Sequence, residues 1–126
     1  MSRTDFKEAV EAKDWDAGIE ALADDVVFKS PVVFKPYRGR EEVGALLGFV
    51  SQVFEDFRYV DQLESGDSMA LIFEARVGDR EVQGLDHLCF DSDDKITEFT
   101  VMVRPMSGMH ALAEAMKAKL EAAGAA

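Results

Sequence analysis

Asp86 is the residue best placed to do chemistry. It stands midway along Val82-Gln83-Gly84-Leu85-Asp86-His87-Leu88-Cys89-Phe90, a stretch that reads as a central strand. Alternation puts Val82, Gly84, Asp86, Leu88 and Phe90 on one face, which is mostly apolar. An ionised carboxylate there would lose hydration, so it must find donors, take up a proton, or face a cavity holding something polar. As a neutral acid, Asp86 would donate a hydrogen bond to a developing enolate oxygen; ionised, it would be a lone acid/base. The competing role is structural, a carboxylate bonded to a tyrosine or to backbone groups.

The side chains expected to line a cavity with Asp86 are Phe6, Trp15, Phe28, Ser30, Tyr37, Phe54, Leu71, Phe73, Leu88, Phe99, Val101 and Val103. Tyr37 lies in a loop expected to rim the pocket, and Ser30 is a weak donor at its floor. Trp15 also fits a purely core role. Met69, Met102, Met106, Met109 and Met116 could form an adaptable lining. Helical spacing of Met109 and Met116 favours plain packing on the sheet or over the pocket mouth. His87 falls on the opposite face of its strand and His110 faces solvent. One cysteine and two histidines without ligand spacing make no zinc motif. Asp91, Asp93 and Asp94 read as turn formers before a calcium loop. No phosphate-cradling glycine loop or nucleophile elbow occurs. No metal or cofactor is expected.

The elements that must position these residues follow from spacing. Ser2 with Asp5 suits the start of a first helix. Asp14 caps a second, carrying Trp15, Ile19 and Leu22 and ending at Asp24-Asp25. Val26 to Ser30 is a strand with Val26, Phe28 and Ser30 on one face, and Pro31 to Gly39 is a loop. From Arg40 to about Phe57, Val43, Leu46, Leu47, Val50, Val53, Phe54 and Phe57 form a helical apolar stripe. Strands then run from Phe57 to Glu64, Met69 to Val77, Arg80 to Phe90 and Lys95 to Arg104. Gly78-Asp79 is a two-residue hairpin signal. It pairs Val77 with Arg80, and so Phe73 with Gly84, Leu71 with Asp86 and Met69 with Leu88. Parity places Phe99, Val101 and Val103 on the Asp86 face. Met109, Leu112, Met116 and Leu120 mark a last helix, with an Ala-rich tail fraying past Gly124. The order of elements gives an α+β fold in which helices cover one face of a curved antiparallel sheet.

The chain has 126 residues and a mass of 13.9 kDa, which suits a single domain over 1–126, its core about 5–104 and its C-terminal helix about 106–123. Hydrophobic content of 48% with nine Phe excludes disorder. A net charge of −11 excludes nucleic acid and anionic membrane surfaces as partners. Apolar runs are too short to span a bilayer, and the N-terminus carries no signal-like apolar stretch. The single Cys89 suits a reducing cytoplasm.

The chain resembles the nuclear transport factor 2-like superfamily, in its SnoaL-like and ketosteroid-isomerase-like branch. The resemblance rests on Ala23-Asp24-Asp25-Val26-Val27-Phe28 leading into Ser30-Pro31, on Tyr37-Arg38-Gly39-Arg40-Glu41-Glu42-Val43, and on Leu85 to Phe90 followed by Asp94-Lys95-Ile96. It implies a cone-shaped sheet wrapped around N-terminal helices and one long helix. It also implies a deep pocket for a small apolar ligand and a homodimer through the outer sheet face. In ketosteroid isomerase a first-helix Tyr and a protonated Asp form an oxyanion hole, and a second Asp is the base. Asp86 matches the oxyanion-hole Asp; Phe6 stands at the Tyr position and Ser30 at that of the base. Serine without an activating base cannot take a carbon-bound proton at neutral pH, so that mechanism is not expected here. The resemblance thus implies a pocket protein with isomerase-, cyclase- or dehydratase-like acid/base chemistry on an apolar carbonyl compound, or a non-catalytic module with a degenerate pocket. An enzyme's pocket should be open with convergent polar groups, and a relic's filled by Phe6, Phe28 and Phe99. The outer face, with Ala70, Ile72, Leu85, Cys89 and Met102 among Glu74, Arg76, His87 and Arg104, suits a dimer contact. A dimer by light scattering at micromolar concentration is the expected outcome, and a monomer would count against it.

Overall fold

The computed structural model describes residues 3–122. Its frame is the meander β3 (Glu55–Ser65), β4 (Ser68–Val77), β5 (Arg80–Phe90) and β6 (Ile96–Arg104). The Gly78-Asp79 turn holds the expected register: Phe73 opposes Gly84, Leu71 opposes Asp86 and Met69 opposes Leu88. On the other side of β5, Gly84 opposes Val103, Asp86 opposes Val101 and Leu88 opposes Phe99. Burial alternates strictly along β4 and β5, so a slip of one residue would turn the whole apolar set to water.

The remaining elements are α1 (Asp5–Glu11), α2 (Trp15–Glu20), β1 (Leu22–Lys29), β2 (Tyr37–Arg38), α3 (Arg40–Val53) and α4 (Met106–Ala122). Strand order is β2-β1-β6-β5-β4-β3. All pairs are antiparallel except β1 with β6, because the whole run from α3 to β5 acts as the crossover between them. The core between sheet and helices contains Leu22, Val26, Val43, Leu71, Leu88 and Ile96, none of them accessible to solvent.

Several boundaries differ from those read in the sequence. The first helix is led by Thr4, without a side-chain capping bond; the Ser2 cap lies outside the described residues, as does the tail past Gly124. Asp14 does cap α2, accepting from Ala17 N–H. That helix stops before Leu22, which belongs to β1. Asp24 and Asp25 do not terminate it; they sit exposed within β1, where the β1–β6 register shifts, so an irregular strand carries them to solvent. The Pro31–Gly39 loop contains β2, paired to β1 through Val27 with Arg38 and Phe28 with Tyr37. The long helix ends at Val53, and Phe57 lies in β3. Phe54 turns extended, so the two rings meet across that corner, 5.7 Å apart between centroids.

Gly84 is the tightest point of the sheet. Phe73, directly opposite, lays its ring over it, and a Cβ there would meet Phe73 Cζ at 2.1 Å. The ring cannot retreat: it stacks on Phe57 at 4.7 Å and meets Phe54 edge-on at 5.5 Å. Gly84→Ala should therefore destabilise the fold by about 1–3 kcal/mol, the range for overpacking a filled core, measured by urea unfolding. Phe73→Leu in the same chain should recover part of the loss; equal stability of Gly84→Ala and the parent would contradict this packing.

Candidate functional site

Between the helices and the concave face of the sheet lies a cavity of about 370 Å³. Asp86 reaches its floor from the middle of β5, with 5% of its surface exposed. Phe6 and Phe99 meet edge-on at 5.1 Å, Phe28 lies 5.2 Å from Phe99, and these rings wall the cavity without filling it. On the other side stand Phe54, Phe57 and Phe73, with Leu47 and Val50 from α3 and Leu112 and Met116 from α4. Met116 thus packs over the pocket, whereas Met102 and Met106 are exposed and cannot line it. The mouth is marked by the exposed residues Glu11, Lys13, Trp15, Val32 and Asp56.

Of the residues picked from the sequence, Phe6, Trp15, Phe28, Ser30, Phe54, Phe73, Asp86, Phe99 and Val101 border this cavity. Tyr37, Leu71, Leu88 and Val103 do not. Leu71 and Leu88 are wholly enclosed in the core, and Tyr37 packs on Phe28 with ring centroids 6.4 Å apart. Ser30 Oγ accepts a hydrogen bond from Val32 N–H at 3.0 Å, fixing the first turn of the loop at the mouth. His87 and His110 are not among the residues that line the cavity.

Five polar lining residues escaped the sequence reading: Glu11, Lys13, Ser51, Asp56 and Tyr59, of which Tyr59 is the one bonded to Asp86. Tyr59, on β3, donates its hydroxyl to Asp86 Oδ2 at 2.9 Å, reaching across β4. Its sequence signal was parity with Phe57 in an otherwise polar strand; the two rings pack edge-on at 5.0 Å. The pairing shifts register between Tyr59 and Asp61, so simple alternation could not have followed this strand to its partner. The other Asp86 oxygen has no hydrogen-bond partner among the described residues. Yet no fully buried side-chain oxygen or nitrogen lacks a partner among the described residues, so Oδ1 borders the open cavity.

The electrostatics follow from this enclosure. Burial pushes the Asp86 carboxyl up to about 7, against the Tyr59 hydrogen bond, which favours the charged form. Tyr59 itself is held well above its ordinary value, first by burial, then by the charge and hydrogen bond of Asp86, with a smaller push from Glu11. Near neutrality the site therefore holds a phenol and a carboxyl divided between its acid and its carboxylate. Chemically it can donate one hydrogen bond from Oδ1 to a ligand oxygen, or accept a proton there.

The SnoaL-like domain family matches residues 4–99. The chain belongs to that family, within the nuclear transport factor 2-like superfamily. A steroid delta-isomerase from Pseudomonas aeruginosa is similar at 45% identity over 96% of this chain and 90% of that one, with a TM-score of 0.90. An uncharacterised bacterial protein with a cystatin-like fold from Silicibacter pomeroyi DSS-3 shares 35% identity over 94% of this chain and 83% of its own, with a TM-score of 0.86. A SnoaL-like protein of unknown function from Burkholderia thailandensis shares the fold at 21% identity, over 80% of this chain and 90% of its own, with a TM-score of 0.66. No functionally curated protein matches significantly. The fold and the small-molecule, isomerase-like type of the family thus extend to this chain.

The raised Asp86 has a thermodynamic consequence. Between about pH 4 and about 7 the folded carboxyl keeps a proton that the unfolded chain has released. Its contribution to stability therefore falls as pH rises through that window and is level above it. Asp86→Asn removes this titration while keeping the shape. Relative to the parent, the variant should gain stability between pH 4 and 7, by a total on the order of 4 kcal/mol. Urea unfolding of both chains across that range measures the difference, and a pH-independent gap would contradict the desolvated carboxyl.

Proposed function

We propose that the chain binds an apolar carbonyl compound in this cavity and acts on it by acid/base chemistry, with Asp86 as the polar anchor. The observation that carries this reading is the geometry of the carboxyl: Oδ2 is held by Tyr59, while Oδ1 faces an open, aromatic-walled space. A protonated Asp86 donates to the ligand's carbonyl oxygen and stabilises the partial negative charge there, without itself taking a proton from carbon. Tyr59 orients the carboxyl and spreads that charge through its own hydroxyl. The ionised form of Asp86, populated near neutrality, is the one buried carboxylate of the described lining that could take a proton from carbon. The steroid delta-isomerase similarity supports an isomerisation by proton transfer.

A second reading has its own support. Ser30 stands where the resemblance implies a base, Phe6 where it implies a tyrosine, and the other lining carboxylates, Glu11 and Asp56, are exposed at the mouth. That pattern favours a ligand-binding protein that does not turn its ligand over. We also propose that two copies pair through the outer sheet face, where Val60, Leu63 and Met102 are exposed, and that half-buried Cys89 stays reduced in the cytoplasm.

The test is thermal unfolding of the parent and Asp86→Leu with a panel of apolar ketones, steroids and aromatic polyketide mimics. A ketone should raise the parent's midpoint and lose that effect in the variant. No shift in the parent by any member would overturn the carbonyl reading, and binding without turnover would favour the non-catalytic one. Because the donor is the protonated carboxyl, affinity for a neutral ketone should weaken as pH rises through about 7. Tyr59→Phe removes the bond that lowers the Asp86 pKa, so the same weakening should begin at higher pH; titrations of one ketone against both chains measure the displacement.

A further inference from the structure

The mouth of the cavity carries three ionisable side chains: Glu11, Lys13 and Asp56. Asp56 is committed to an ion pair with Arg76. Lys13 has no side-chain hydrogen bond or ion pair among the described residues, and it is the one basic residue of the described lining. Its backbone is in the left-handed region, with φ of 58°, a conformation that glycine or asparagine adopts more easily. Rigid neighbours hold it there: Lys13 N–H donates to the Val10 carbonyl at 3.1 Å and Asp14 N–H to that of Ala9 at 2.8 Å. Asp14 in turn caps α2. Lys13 thus borders the opening with a charge that no described residue pairs. Next to it, Trp15, 37% exposed, offers a flat apolar surface to whatever emerges from the cavity.

Resting on the carbonyl reading of the floor, we infer that the ligand carries an acidic group, such as a carboxylate or sulfonate, at the end that stays at the mouth, and that Lys13 holds it. Asp86 sets the orientation: once ionised it repels an anion from the floor, whereas at the mouth Lys13 offers the one cation of the described lining, set against Glu11. The acidic end is left at Lys13 and the carbonyl end at Asp86. On a chain of net charge −11, such a ligand would be repelled almost everywhere else on the surface.

The experiment compares two probes of similar apolar body, anionic 8-anilinonaphthalene-1-sulfonate and neutral N-phenyl-1-naphthylamine. Each is titrated by its own fluorescence and by quenching of the single Trp15, and each is competed against the other to show one shared site. Lys13→Asn tolerates the left-handed backbone and removes the charge. It should weaken the sulfonate probe about three- to fivefold, the size of a solvent-facing ion pair, and leave the neutral probe unchanged. Lys13→Arg should retain the preference and Lys13→Glu should weaken the sulfonate further. The difference between probes should shrink near 1 M salt, where the Debye length is about 3 Å. Equal effects on both probes, or none on either, would overturn the assignment to Lys13. Failure of the parent chain to bind the neutral probe would instead overturn the pocket reading beneath it.

Discussion

The site depends on one hydrogen bond formed out of water, from the Tyr59 hydroxyl to the Asp86 carboxyl. Burial and the bond act on the carboxyl in opposite directions. Desolvation raises it and the phenol partly restores its acidity, leaving it near 7. With desolvation alone the carboxyl would hold its proton to higher pH, and with full hydration it would lose it at lower pH. The balance leaves both protonation states populated near neutrality, the condition the proposed acid/base role would need.

The rest of the structure keeps that balance in place. Gly84, two residues before Asp86 on the same face, has no side chain, so the Phe73 ring lies across the strand. With that ring seated, Phe54 and Phe57 close around it, and Phe57 sets the face on which Tyr59 stands. The helices complete the enclosure. Gly44 of α3 allows Ile19 of α2 to approach closely, with contacts of 3.3 Å to a would-be Cβ, and α4 brings Leu112 and Met116 over the cavity. Together these contacts bury the Asp86 face, the desolvation that raises its carboxyl.

Membership of the SnoaL-like family and the similarity to a steroid delta-isomerase place the scaffold and its general type. They do not carry the chemistry by themselves, because a fold hosts many activities and the working groups are local. Here the local groups differ from the pattern implied by the resemblance at Phe6 and Ser30. Asp86, the residue that the resemblance matches to the oxyanion-hole acid, is bonded instead from β3, by a tyrosine that reaches it across β4 on the concave face. The polar partner of Asp86 is thus present but comes from another element.

What the sequence determined by itself is the central meander. A two-residue glycine-aspartate turn and strict apolar alternation leave one register for β4, β5 and β6, and that register puts Asp86 among Leu71, Leu88, Phe99 and Val101. Local rules suffice there because each pairing follows from the last. They fail where the strand is irregular: Asp24 and Asp25 read as a helix stop yet lie in β1, and a register shift beside Tyr59 hides its direction. The Tyr59–Asp86 bond was legible only as a demand, since a buried carboxylate needs a partner but its spacing does not name one. The open cavity and the charge at its mouth were decided by tertiary structure alone. A void of this size is the small difference between the volume enclosed by the cone and the volume of the side chains filling it, and that difference has no local signature in the chain.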